Sequence, residues 1–282
     1  MAEGVKKLLI GVVILLVAGR LGVPPLLRAL GLHPHYSGAR YQLQKGRALI
    51  VTTSHAQLGE GGAPAGVFAS EMTAPYYAFV EGGMTVDVAS VRGGEIPIDP
   101  NSFRWYVEAP SDKRFHDDAE FQRKVKQSVK IDDVDFTKYD IVYLAGGWGA
   151  AYDLGFSDVL ARKITAAWHA NRVVGGICHG PLGLLRAVDE KGQNLVKGKR
   201  MTAVTDKQVQ ELGITQTPQH PERELRAAGA LYEGKSAFRD FFANHMVTDG
   251  RLVTGQNQNA GTEVAEEMMR VAGIRVDDRI SQ

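Results

Sequence analysis

VVGGICHGPLGLL, residues 173–185, decides how this chain is read. Two valines, two glycines and an isoleucine make a short buried-strand pattern. It runs into Cys178, the only cysteine in 282 residues. His179 follows, and then GPLGLLRAV, an apolar pattern that predicts a helix with Pro181 in its first turn, where proline is tolerated. Open α/β sheets bind ligands outside the carboxyl ends of their strands, and Cys178 sits at such an end. A helix N-terminus favours the thiolate, and a sharp strand-to-helix turn projects the side chain into a cleft. The competing reading is a small buried hydrophobe, the common fate of a lone free cysteine. Position alone leaves the two level, and His179 adds little, because neighbours in sequence need not face each other.

Working outward, RALIVTTS (47–54) is a buried-strand pattern, followed by the glycine-rich loop LGEGGAPAG (58–66). FASEMTAPYYAFVEGG (68–83) reads as a helix closed by glycines, and MTVDVASV (84–91) as an alternating strand. Residues 92–115 form a polar insertion with Pro97, Pro100 and Pro110 that could cover a pocket. DDAEFQRKVKQSVKI (117–131) is an amphipathic helix, YDIVYLAGG (139–147) a strand ending on glycines, and LGFSDVLARKITAAWHAN (154–171) a helix. Strands alternating with helices imply an α/β fold with a mostly parallel sheet covered on both faces. Further on come the strand-like KRMTAVTD (199–206) and the helix PERELRAAGALYEG (221–234). HMVTDGRLVTGQN (245–257) is a hairpin turning at Asp249-Gly250. AGTEVAEEMMRVAGI (260–274) is a closing helix with Gly273 as its expected C-cap.

Composition narrows the function. The formal net charge is +1, which gives no electrostatic case for a nucleic-acid partner. One cysteine excludes an intramolecular disulfide and a multi-thiolate zinc site within the chain. The first 32 residues differ from the rest: Lys6 and Lys7 precede LLIGVVILLVAG, and the apolar run reaches spanning length only by tolerating Arg20 and Pro24-Pro25. A membrane-spanning signal anchor is the favoured reading. A cleaved signal giving an exported soluble protein and a cytoplasmic helix packed on the body are the alternatives. Basic residues flank both sides, so sidedness is weakly specified. Residues 33–46 read as a linker and 47–282 as the folded domain.

Several motifs share one order: TTS and GVFASE within 52–71, LAGGWGAAYDL (144–154), ICHGP (177–181), VTD (204–206) and DGRLVTGQN (249–257). Together they resemble the PfpI-like, class I glutamine amidotransferase-like superfamily, in its branch of glyoxalase III enzymes and heat-inducible chaperones. The resemblance implies a flavodoxin-like three-layer sandwich with Cys178 as nucleophile. It makes His179 the general base or proton relay and Glu71 the carboxyl group that hydrogen-bonds the thiol. It also implies an oxyanion hole from backbone N–H groups of Gly147 or Trp148. Their plain alternatives are a core histidine, a solvated helix glutamate and a simple tight turn.

Two departures matter. The branch commonly carries His where Trp148 stands, and the third triad member, an acid, falls on Val209. Asp206 is the candidate substitute acid. His220, His245, Asn244 and Asn257 are candidates to line the pocket or a subunit contact. No cofactor and no metal site is assigned.

The implied activity is a cofactor-independent lyase of the D-lactate dehydratase type, acting on a small aldehyde substrate such as methylglyoxal. The alternatives are a cysteine amidase or deglycase-type hydrolase, and a non-enzymatic membrane-attached chaperone or redox sensor. The family often dimerises, so a homodimer is a further expectation.

Overall fold

The computed structural model describes residues 2–214 and 216–280, with side chains described for 3–214 and 216–273. In chain order the elements are α1 (Ala2–Ala29), β1 (Arg47–Thr52), α2 (Ala69–Glu81), β2 (Thr85–Ser90), α3 (Pro110–His116) and α4 (Ala119–Lys126). There follow β3 (Val129–Lys130), β4 (Ile141–Leu144), α5 (Ala150–Asp153), α6 (Asp158–His169), β5 (Val173–Ile177) and β6 (Arg200–Met201). The last elements are α7 (Asp206–Glu211), α8 (Pro221–Ala227), β7 (Leu231–Tyr232), β8 (Met246–Asp249), β9 (Leu252–Gly255) and α9 (Gly261–Ile280).

Seven strands pair in the order β3-β2-β1-β4-β5-β9-β8. All pairs are parallel except β8 with β9, where the hairpin turns through Gly250 at φ +61°. Strand period two sorts the side chains to opposite faces. Ala48, Ile50, Ile141 and Tyr143 join Met72, Phe79, Val264 and Met268 of α2 and α9 on one face. Leu49, Val51, Val142 and Leu144 join Leu160, Ile164 and Trp168 of α6 on the other. Each fully buried Val, Leu, Ile, Phe or Met among them contributes about 1.5–3 kcal/mol. The result is the flavodoxin-like three-layer sandwich. Its strand order reverses between β1 and β4, which makes the loops after β1, β4 and β5 the expected ligand crevice.

Four local expectations change. GPLGLLRAV forms only a 3₁₀ turn, Gly180–Leu184, with no α-helix after it. Two glycines weaken helix propensity there, and Gly180 and Gly183 pack so close to Leu144 that an added Cβ would lie 2.1 Å from its carbonyl oxygen and 2.9 Å from its Cδ1, respectively. The helix within 117–131 ends at Lys126, because Val129 and Lys130 pair with Ala89 and Ser90 of β2. KRMTAVTD contributes only Arg200 and Met201, in a separate two-stranded parallel sheet with Leu231 and Tyr232. Gly273 is not a C-cap, since α9 continues through it to Ile280.

Residues 33–46 lie along the body. The backbone N–H of His33 donates to Asn259 Oδ1 at 2.8 Å, and that of Tyr41 donates to Glu266 at 2.8 Å. Leu32 and Leu43 are buried. The 92–115 insertion also packs on the body, through Val67 N–H to the Pro97 carbonyl and Asp99 N–H to the Val67 carbonyl. It borders a cavity of about 590 Å³ lined by Ser54, Ile98, Phe103, Phe115 and His116, and neither Cys178 nor His179 lines it. Helix α1 carries a 27-residue stretch, Glu3–Ala29, long and apolar enough to cross a membrane, and none of it is buried against the body. Pro24 and Pro25 are accommodated inside it, and Arg20 lies 5.3 Å over the Trp105 ring.

Candidate active site

Cys178 follows β5 with φ +58°, in the left-handed region that a side chain rarely occupies. Two backbone hydrogen bonds hold it there: its N–H to Gly255 O at 3.0 Å, and Val204 N–H to its own carbonyl at 3.1 Å. Such a residue stores about 1–3 kcal/mol. The turn brings Sγ to 3.4 Å from Nδ1 of His179.

Glu71 enters from the first turn of α2, 1% exposed. Its carboxyl group lies beside the Cys178 thiol and against the Gly146 backbone. Tyr143 of β4 donates its hydroxyl to the Glu71 carbonyl at 2.9 Å, fixing the helix start against the sheet. Glycine is required in the turn after β4. A Cβ on Gly146 would lie 2.5 Å from Glu71 Oε2 and 2.7 Å from His179 N, and Gly147 has φ +102° with a Cβ position 2.3 Å from Phe68 N. The loop after β1 is tied to the same region, since Thr53 Oγ1 and Ser54 N each donate to Asp153 at 2.8 Å.

The electrostatics reverse one expectation. With no α-helix after it, the thiol gains no helix-end stabilisation. Burial pushes it well up, and Glu71 beside it adds to the rise; backbone N–H groups of Gly147 and His179 pull the other way without prevailing. Burial also raises Glu71, to about 8. Below about pH 8 the pair therefore rests as thiol and carboxylic acid. Burial, with a smaller push from His220, lowers His179 to about 3, so its ring is neutral.

Cys178, His179, Glu71 and Gly147 thus come together. Trp148 joins them through its ring, 4.7 Å from that of His179 and tilted by 55°. Val209 is buried in the same apolar cluster as Cys178. Nε2 of His179 is buried with no hydrogen-bond partner among the described residues. Asp206 is held by other partners: it receives Arg223 Nε at 2.6 Å, and its Oδ1 lies 3.6 Å from His220 Nδ1. Asn257 is a brace, donating to Gln208 Oε1 at 3.0 Å and to the Asp240 carbonyl at 2.8 Å. Asn244 donates to Glu263 of α9 at 3.2 Å, and the His245 carbonyl accepts from Gln256 N at 2.9 Å. Among the described residues no cluster of three or more His, Cys, Asp or Glu side chains could hold a metal.

A strained cysteine after the third crevice strand, facing a glutamate from the first crossover helix, defines a class of thiol-bearing α/β protein. Residues 63–271 match the DJ-1/PfpI family, and the chain belongs to it. It is 30% identical over 229 residues to glyoxalase 3 of Candida albicans, spanning 78% of this chain and 95% of that relative. It is 27% identical over 238 residues to a glutathione-independent glyoxalase of Schizosaccharomyces pombe, spanning 81% of this chain and 96% of the other. The crystal structure of glyoxalase III from Candida albicans superposes with a TM-score of 0.73 at 28% identity, covering 80% of this chain and 97% of that one.

Proposed function

We propose that this protein is a glutathione-independent glyoxalase of the D-lactate dehydratase type, acting on small α-oxoaldehydes such as methylglyoxal. The observation that carries the reading is the strained Cys178 elbow, buried against both Glu71 and His179. Relatives named as glyoxalases support it.

The chemistry balances without a cofactor. Sγ adds to the aldehyde carbon, the thiol proton passes to Nδ1 of His179, and the carbonyl oxygen takes the Glu71 proton. Sulfur bonded to carbon can no longer become an anion, so Glu71 can now stay ionised. Its carboxylate removes the C1 proton while imidazolium protonates the C2 oxygen. Glu71 then returns that proton to C2, and the C1 hydroxyl proton moves to His179 as a thioester forms. Water cleaves the thioester, releasing the hydroxy acid and restoring the thiol, the carboxylic acid and the neutral ring. The aldehyde carbon is oxidised and the ketone carbon reduced, so no external oxidant enters. In this reading the backbone N–H groups of Gly147 and His179, which act on the sulfur at rest, serve the developing oxyanion.

Helix α1 is proposed as a membrane anchor, on the strength of its length and its exposed apolar surface. Carbonate extraction that left the full-length chain in the soluble fraction would remove that part of the reading.

The test of activity is lactate release from methylglyoxal without glutathione, by the full-length protein in detergent, beside Cys178→Ala and Glu71→Gln. Turnover lost in both variants supports the enzyme. Turnover absent from the wild type removes the reading. The unpartnered Nε2 of His179 favours a second reading, a membrane-attached chaperone or redox sensor. A holdase would be indifferent to Glu71→Gln.

A further inference from the structure

Among the described residues two buried atoms of the site lack a hydrogen-bond partner, Glu71 Oε2, which lies against the Gly146 turn, and Nε2 of His179, which has no acceptor within hydrogen-bond reach. Val209, buried in the same apolar cluster as Cys178, brings none to that nitrogen. Every transfer of the thiol proton to Nδ1 creates an imidazolium there, and a buried charged ring with an unmet N–H is disfavoured.

Two more unpartnered buried atoms lie on the adjoining elements. They are Nδ1 of His220, the residue before α8, and Oδ1 of Asp206, the first residue of α7. They are 3.6 Å apart. His220 stands near enough to His179 for a charge on it to act there. Asp206 is anchored for such a role: Oδ2 receives Arg223 Nε at 2.6 Å, and its own N–H donates to Glu222 at 2.9 Å. That leaves Oδ1 toward His220.

We propose that His220, backed by Asp206, replaces the absent triad acid. With its proton on Nδ1 toward Asp206, the ring accepts at Nε2 from Nε2–H of His179, directly or through one water. His220 touches no reacting atom and is a positioning residue. When the thiol proton moves to Nδ1 of His179, the Nε2 proton stays on His179 and is shared with His220. When sulfur is released, the Nδ1 proton returns. Asp206 takes no part in the transfer; it holds the His220 ring by its Nδ1–H, the orienting role that a triad acid has toward its histidine. The inference rests on Cys178 acting as a nucleophile, as proposed above.

The test uses the full-length protein with His220→Ala, His220→Gln and Asp206→Asn. It reads iodoacetamide alkylation of Cys178, kcat and KM for methylglyoxal, and the melting temperature. His220→Ala is expected to lower kcat and alkylation by about 10²-fold, a smaller loss than the roughly 10⁴-fold that follows when a catalytic histidine loses its orienting acid. KM and melting temperature should hold, and added imidazole should restore both rates. His220→Gln, which fills the same space, should lower the rates without any response to imidazole. It remains informative if His220→Ala does not fold. Asp206→Asn should lower the rates by a smaller factor.

A folded His220→Ala that keeps both rates, or loses them with no imidazole rescue, overturns the relay. So does a His220→Gln with wild-type rates. If the wild type turns over no oxoaldehyde but alkylation shows the imidazole-rescued loss, the relay stands and the substrate reading falls. If turnover is present and neither rate responds to His220, the relay alone falls.

Discussion

Glu71 and Cys178, on α2 and at the end of β5, hold adjoining acidic groups in one buried space, where burial raises both and Glu71 adds to the rise of the thiol, while the thiol beside it holds the rise of Glu71 back. The glutamate is therefore both the partner the thiol needs and the reason the thiol is quiet at rest. Glu71→Gln should lower the apparent pKa of Cys178 while abolishing turnover. Alkylation rates measured from pH 6 to 11 check this: each unit of downward shift gives about tenfold more thiolate below the midpoint. An unchanged or raised midpoint contradicts the coupling.

The same group acts on stability. Glu71 titrates near 8 in the fold against an ordinary value of 4.5. Between those values the native state holds a proton that the unfolded chain has lost, so stability from this group falls as pH rises through that window. Glu71→Gln should raise the melting temperature at pH 8.5 relative to wild type and show less advantage at pH 5. Scanning calorimetry at the two pH values decides it.

His33 works with the opposite sign. Burial lowers it from 6.5 to about 4, although its Nε2 lies 2.7 Å from the Val107 carbonyl and that bond opposes the fall. The unfolded chain takes up a proton between 6.5 and 4 that the native chain refuses, so stability falls as pH drops through that window. Replacing His33 with Gln should flatten the acid side of the melting curve by on the order of 2 kcal/mol. A wild-type slope in His33→Gln would place the acid sensitivity on His179 instead.

Gly146→Ala tests the close packing of the site. The new methyl would intrude on the Glu71 carboxyl group and the His179 N–H at once. Turnover should be lost and the melting temperature should fall, with overpacking typically destabilising by about 1–3 kcal/mol. An active, stable Gly146→Ala would show that the turn after β4 can yield.

Strand periodicity and loop order made the sandwich legible from sequence, because buried parallel strands need β-branched runs and crossovers need helices. Cys178 was legible by its place at a strand end, whereas the expected roles of His179, Glu71 and the Gly147 turn came through the order of motifs that the chain shares with its family. Three things were hidden. The helix expected after Cys178 was not formed, because Gly180 and Gly183 serve close contact with β4, and spacing alone does not distinguish that from a helical face. The direction of the thiol's shift depended on burial and on Glu71, neither of which a linear motif states. His220 was visible only as one histidine among several. Its nearness to Asp206 arises from the docking of α7 beside α8, which no local pattern encodes.

The left-handed backbone at Cys178 has a last consequence. Glycine adopts that angle freely, so a chain relieved of any task at this position would rest more comfortably with glycine there. Foldability and reactivity pull this one residue in opposite directions. Cys178→Gly should be inert yet no less stable than its parent, which would make the cysteine a tenant kept for what its sulfur does rather than for how well it fits.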